Sequence, residues 1–149
     1  MIKTFRGQLT DTSPGNQNRI RLSTIKGKVG YRIVKFQLMT EKPGTTDYEQ
    51  IVKIFKTSQS SIVEAINFTD SDLLAAGFTE GAAATNFIGN PMTIIYDHVL
   101  FVRNIHVTHV DTKGALNCNY YIELEEVKVS AAGMAQLGVA AARRRQVDA

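Results

Sequence analysis

Apolar residues recur at every second position along most of the chain, in runs bounded by Gly, Pro, Asn and Asp. That period belongs to strands with one buried face, so the chain reads as mainly β. At 19–23, Ile20 and Leu22 point one way while Arg19 and Arg21 point the other, after a turn cluster at 12–16. At 31–39, Val34, Phe36 and Leu38 share a face opposite Lys35 and Gln37, with Arg32 at the edge; 26–30 join these two strands. Glu41-Lys42-Pro43-Gly44 is a turn, because Pro presets φ and Gly accepts positive φ. Further strands are expected at 51–56, 62–68 and 104–110, and a long buried one at 92–102. Leu73-Leu74-Ala75-Ala76-Gly77, after Thr69-Asp70-Ser71-Asp72, has the pattern of a short capped helix ended by glycine. Residues 81–90 are mostly small or polar and read as a flexible surface loop. Asp111-Thr112-Lys113-Gly114 is a turn before the last strand, 119–129. There Tyr120, Ile122 and Leu124 share one parity and Val127 and Val129 the other, which predicts a bulge near Glu125 and Glu126.

Seven or eight such strands, with no helices alternating between them, predict an antiparallel two-sheet sandwich of jelly-roll or Greek-key type over 1–129. From Ser130 the period changes. Met134, Leu137 and Ala141 recur at helical spacing, Ser130 suits a cap, and Arg143, Arg144 and Arg145 suit the negative end of a helix dipole. Gly133 and Gly138 each weaken that short C-terminal helix by about 1 kcal/mol relative to alanine. It therefore needs a docking surface, on its own sandwich or on a neighbouring subunit.

The 149 residues fit one domain, and 44% hydrophobic content supplies an ordinary globular core. No run reaches the roughly 18 apolar residues of a membrane span. The opening residues alternate and lack a signal-peptide apolar region, and the single cysteine, Cys118, makes no internal disulfide. The net charge of +3 hides an asymmetry: residues 1–56 carry 11 basic against 4 acidic side chains, and 57–129 carry 3 against 9. Three arginines stand against Asp148 at the end. Such blocks either neutralise each other inside one fold or face complementary blocks of other copies.

The chemistry-bearing residues form no recognisable constellation. His106 and His109 are spaced so that a strand sends them to opposite faces, away from shared metal ligation; Asp97, His98 and Asp111 lie nearby in sequence only. Cys118 has no positioned base. Glu123 and Glu125 share a strand face at about 7 Å, a separation that glycosidases use, but acidic pairs on a solvated strand face are commoner. Phosphate-loop, dinucleotide, zinc-protease and hydrolase motifs are all missing, so no enzyme, cofactor, metal or small-molecule substrate is expected. Arg143, Arg144 and Arg145 are the one compact basic cluster, suited to capping a helix end or to weak, salt-sensitive contact with phosphates.

Three stretches carry a family resemblance: Asn16-Gln17-Asn18-Arg19-Ile20 running into 25–36, Asp47-Tyr48-Glu49-Gln50-Ile51 continuing to 57, and Cys118-Asn119-Tyr120-Tyr121-Ile122-Glu123-Leu124-Glu125. They resemble a family of small, largely uncharacterised proteins of marine bacteriophages, and the likeness extends over most of the chain. It implies a virion component and brings no catalytic residues with it. Residues 79–91 and the arginine-rich end are less family-like. The resulting expectation is a structural subunit of a bacteriophage particle, a self-assembling capsid protein ahead of a decoration or tail-associated role. In it the acidic half of one copy meets the basic half of another, and Arg143–Arg145 reach a neighbour or the packaged genome. Its partners are copies of itself and other virion proteins, and its place is the virion. The rival from another class is a nucleic-acid-binding module built on the basic N-terminal strands and the same arginines.

Overall fold

The computed structural model describes residues 1–10, 15–22 and 29–129. Among the described residues nine strands form: β1 (Ile2–Leu9), β2 (Asn16–Ile20), β3 (Val29–Thr40), β4 (Tyr48–Phe55), β5 (Leu73–Ala82), β6 (Phe87–Ile88), β7 (Met92–Ile95), β8 (Ile105–Asp111) and β9 (Cys118–Lys128). They make two antiparallel sheets, one ordered β1-β9-β3 and the other β2-β8-β4-β5, with β6 and β7 both along the far side of β5. The pairing is nested. β1 pairs with β9, β2 with β8, Tyr31 of β3 bridges Phe101, and β4 pairs with β5. A chain folded as one long hairpin and then rolled, so that β1 to β4 alternate between the sheets and β9 returns to the smaller one, has the topology of a jelly roll. The expected helix or arm over 130–149, the turn residues 12–14 and the link at 26–28 lie outside the described residues.

Alternation does most of the work of placing the core. Tyr120, Ile122 and Leu124 point between the sheets and meet Phe36, Leu38, Val52, Ile54 and Val107 in one cluster. Along β3 the inward parity switches, from Tyr31 and Ile33 to Phe36 and Leu38. The cause is a bulge: Ile33 pairs with Leu124 and Lys35 with Glu123, leaving Val34 as the extra residue. The irregularity expected near Glu125 and Glu126 therefore sits on the partner strand, and Val34 does not share the deeply buried face of Phe36 and Leu38.

Five further expectations are corrected by pairing that is invisible in local sequence. Residues 73–77 form the start of β5 and not a helix, because their small side chains are spacers under β3. A Cβ at Gly77 would stand 2.5 Å from Leu38 Cδ1 and 3.1 Å from Phe36, so the sheets approach only where that side chain is missing. Asp70 does cap a turn, accepting from the Asp72 N–H at 2.9 Å, but the turn leads into a ladder with β4. Residues 62–68 form no strand; they belong to an irregular strap, 56–72, across the outer face of the larger sheet. Residues 81–90 turn tightly and return as β6, and only Met92–Ile95 of the expected long strand is β-structure, with Met92 and Ile94 exposed. The strand expected at 19–23 runs Asn16–Ile20, earlier than its alternation suggested.

One buried group is poorly served by this packing. Thr40 Oγ1 is buried with no hydrogen-bond partner among the described residues. Removing an unsatisfied hydroxyl while keeping side-chain shape removes its desolvation cost. Thr40→Val is therefore expected to stabilise the fold by about 1 kcal/mol, a rise of roughly 2–4 °C in melting temperature. A drop in melting temperature would mean that the hydroxyl has a partner in solution.

Candidate functional site

The residues singled out by their chemistry are dispersed, and His106, His109, Cys118, Glu123 and Glu125 have structural employment. His106 lies opposite Phe55 on the outer side of the larger sheet. His109 shares the inward parity of Val107 and is fully buried opposite Val52, so the two rings do point to opposite faces. Cys118 is also fully buried, on the other sheet from both histidines. Burial, followed by the charge of Asp111, pushes its thiol up to about 12, while a contact to the Met39 carbonyl pulls the other way. A thiol so held stays protonated at neutral pH and is a poor nucleophile. Among the described residues no three His, Cys, Asp or Glu side chains converge as a metal cage would require. Arg143, Arg144 and Arg145 lie outside the described residues.

Glu123 and Glu125 face outward from β9, the middle strand of the smaller sheet, and both have partners. Tyr121 donates its hydroxyl proton to Glu123 Oε1 at 2.8 Å, and Arg32 Nη2 meets Glu125 Oε2 at 2.7 Å. The bond to Glu123 is also the main reason the exposed Tyr121 hydroxyl titrates above its ordinary value. The same strand explains what becomes of the charge blocks. β9 is acidic and lies between basic β1 and basic β3, so Lys3 meets Glu126 at 3.0 Å and Lys35 stands across the ladder from Glu123. The hydrogen bond to Glu126 raises the Lys3 ammonium above its usual range. Exposed pairs like these contribute little stability each. Their arrangement shows that part of the sequence asymmetry is paired inside one chain.

Lys53 is the most unusual cation. It is 5% exposed on β4, and its ammonium donates to the Val63 and Ala65 carbonyls at 2.8 Å each. Burial lowers its pKa, opposed by the charges of Asp70 and Glu64. The two bonds hold the strap against the outer face of the larger sheet, over a cavity of about 280 Å³. Gln17 fixes the start of the strap by accepting from the Gln59 N–H at 2.8 Å, and Asp72 ends it by accepting from the Thr57 hydroxyl at 3.1 Å. This cation is therefore a fastener of the fold.

A groove of about 860 Å³ crosses β1, β9 and β3 at the level of Gly7, Tyr120 and Leu38. Arg6, Gln37 and Asn119 supply its polar groups, Met39 its exposed apolar one, and Pro91 and Thr93 bound it at the β3 side. Beyond that boundary runs the open edge of the larger sheet, β6 and β7, bearing Phe87, Ile88, Met92 and Ile94, all exposed. Sequence reading missed this surface because 81–90 had been assigned to a polar loop and 92–102 to the core. The available signal was the run 81–96, which contains no Asp, Glu, Lys or Arg. No protein-family model, curated protein or solved structure matches the chain.

Proposed function

We propose that the chain is a structural subunit of a bacteriophage particle, a self-assembling jelly-roll capsid protein that works by contact with copies of itself and with other virion proteins. The observation that carries this reading is the jelly roll itself, an architecture used by viral capsid domains. Fold alone leaves function open. The resemblance of the 16–36, 47–57 and 118–125 stretches to marine phage proteins supports the same reading. So does the chemistry: Glu123, Glu125, His106, His109 and the Cys118 thiol, which stand out in the sequence, are occupied in ladders, pairs and core packing. Two of the basic side chains of 1–56, Lys3 and Arg32, are paired within the chain by Glu126 and Glu125 of β9, and the remaining charge of the two blocks is available for contact between copies.

Sedimentation velocity of the purified protein over a wide concentration range tests the proposal. Growth into large oligomers or shells is expected. A monomer at every concentration, combined with DNA affinity that falls steeply as salt rises, would overturn it in favour of a nucleic-acid-binding module.

A further inference from the structure

We infer that the strap 56–72 is a hinged cover, which swings off the larger sheet as one unit while both sheets stay folded. The strap leaves the end of β4 and returns to the start of β5, and its two ends are tied to each other. The Lys56 N–H donates to the Asp72 carbonyl at 2.9 Å, and the Thr57 hydroxyl donates to the Asp72 carboxylate at 3.1 Å. A surface loop closed at its neck in this way moves without pulling on the strands that carry it. The ladder of β4 and β5, from Tyr48 opposite Gly81 to Phe55 opposite Leu73, needs nothing from the strap.

Above the neck, little apolar surface holds the strap down. Residues 63–69 are all exposed, with Val63 46%, Ile66 40% and Phe68 54% open to solvent. Among the described residues no backbone group of 58–69 bonds to the backbone of a strand. Between strap and sheet lies the cavity of about 280 Å³, walled on the sheet side by Lys53, Phe55, Leu73 and Thr108. Across such a space the strap makes no contact with the sheet. The fastenings are few and separate: the two carbonyls on Lys53, the Gln17–Gln59 bond, Ile62 against Gly15, and the Phe68 ring edge-on to Tyr96 at 6.2 Å. Opening hydrates the Lys53 ammonium, which burial holds below its ordinary pKa against the pull of Asp70 and Glu64. The sheets gain nothing comparable by opening, because Val52, Ile54, Val107 and Ile122 are fully buried and lie in ladders. Segments with few buried apolar contacts and exposed backbone open locally, ahead of the core. The open form gives solvent access to Lys53 and to Phe55 and Leu73 of the second apolar cluster.

Thiol labelling separates this motion from unfolding. Thr108→Cys places a thiol at a position that is 1% exposed and walls the cavity under the strap, while the native Cys118, fully buried in the main core, reports opening of the sandwich. The full-length variant is reacted with excess 5,5′-dithiobis(2-nitrobenzoate) in urea from zero to just below the unfolding transition. Position 108 is expected to react a hundredfold or more faster than Cys118, at a rate that changes less than twofold over that range while the Cys118 rate climbs steeply. Adding Ile122→Val, a core change away from the strap, speeds Cys118 about fivefold and position 108 less than twofold. Adding Ile62→Ala, which loosens the strap itself, speeds position 108 about fivefold. If position 108 follows Cys118 in urea and in the Ile122→Val background, the strap leaves the sheet only when the sandwich unfolds, which overturns the inference. A rate at position 108 unchanged by Ile62→Ala overturns it too, since the strap is then not what covers that position. Hydrogen exchange of the unaltered chain reads the same motion without any substitution. The Gln59 amide, bonded to Gln17 only while the strap is closed, is expected to exchange with little urea dependence, and the Val52 and Ile122 amides with a steep one. One shared urea dependence for all three overturns the inference.

Discussion

Asp111→Ala is expected to cost on the order of 4 kcal/mol, a large part of the 5–15 kcal/mol that holds a domain of this size folded. One carboxylate organises the whole connection between β8 and β9. Its Oδ1 accepts from the Lys113 and Gly114 N–H groups at 2.9 Å each and from Glu49 at 3.2 Å, and its Oδ2 accepts from Leu116 at 3.1 Å. Hydrogen bonds to an ionised acceptor contribute about 1.5–3 kcal/mol each, and they are not additive within a cluster. The turn cannot relax around the loss. Ala115 is held at φ 51°, and a methyl group on Gly114 would collide with the Asp47 carbonyl. Gln50, buried on β4, donates to the Leu116 and Asn117 carbonyls at 3.1 and 2.9 Å, so the disturbance reaches the core. Urea unfolding followed by circular dichroism measures the cost. Asp111→Asn, which keeps one acceptor oxygen, should lose about half as much. An Asp111→Ala protein within 1 kcal/mol of the unaltered chain would show that the carboxylate merely decorates the turn.

That turn also marks how far sequence reading reaches. Asp-Thr-Lys-Gly announces a turn, but nothing in the four residues says that Glu49 from a distant strand shares the same carboxylate. The clean alternation of β9 and of most of β3 was legible because a strand with one buried face writes its geometry into every second residue. β5 was misread because Leu-Leu-Ala-Ala-Gly is a reasonable helix locally. Its small residues are explained only by Phe36 and Leu38 lying on Gly77, a contact between distant segments. The strap was misread for a similar reason: Ile62, Val63 and Ile66 suggest a strand, while Lys53 captures the Val63 and Ala65 carbonyls that a ladder would have used. The charge blocks were visible as numbers along the chain. The pairing of part of that charge required knowing that β9 lies between β1 and β3. The apolar edge was the costliest miss, since exposed and buried hydrophobic runs look alike until the neighbouring strands are placed.

Alkaline stability is expected to depend on the Cys118 thiol more than on any phenol. Its folded pKa of about 12 stands above the ordinary 9.0. A group protonated more tightly in the folded state contributes its full stability below its unfolded pKa. That contribution falls as pH rises from 9 toward 12 and amounts to about 4 kcal/mol across the window. Tyr120, raised by burial, works in the same direction above its ordinary 10.0. Lys53 works the other way: its lowered pKa means that stability is gained between the folded value and the ordinary 10.5. Comparing Cys118→Ala with the unaltered chain isolates the thiol from both. At pH 7 the variant should be the weaker by about 1 kcal/mol, the cost of a small cavity. Near pH 10 the two should be equal, and at pH 11 the variant should be the more stable by about 1–2 kcal/mol, because it has no thiol to ionise on unfolding. Guanidinium midpoints measured at intervals from pH 7 to pH 11 decide the matter. A difference that stays constant over that range would show that the folded thiol ionises as readily as the unfolded one, and that Cys118 is open to water at the rim of the core.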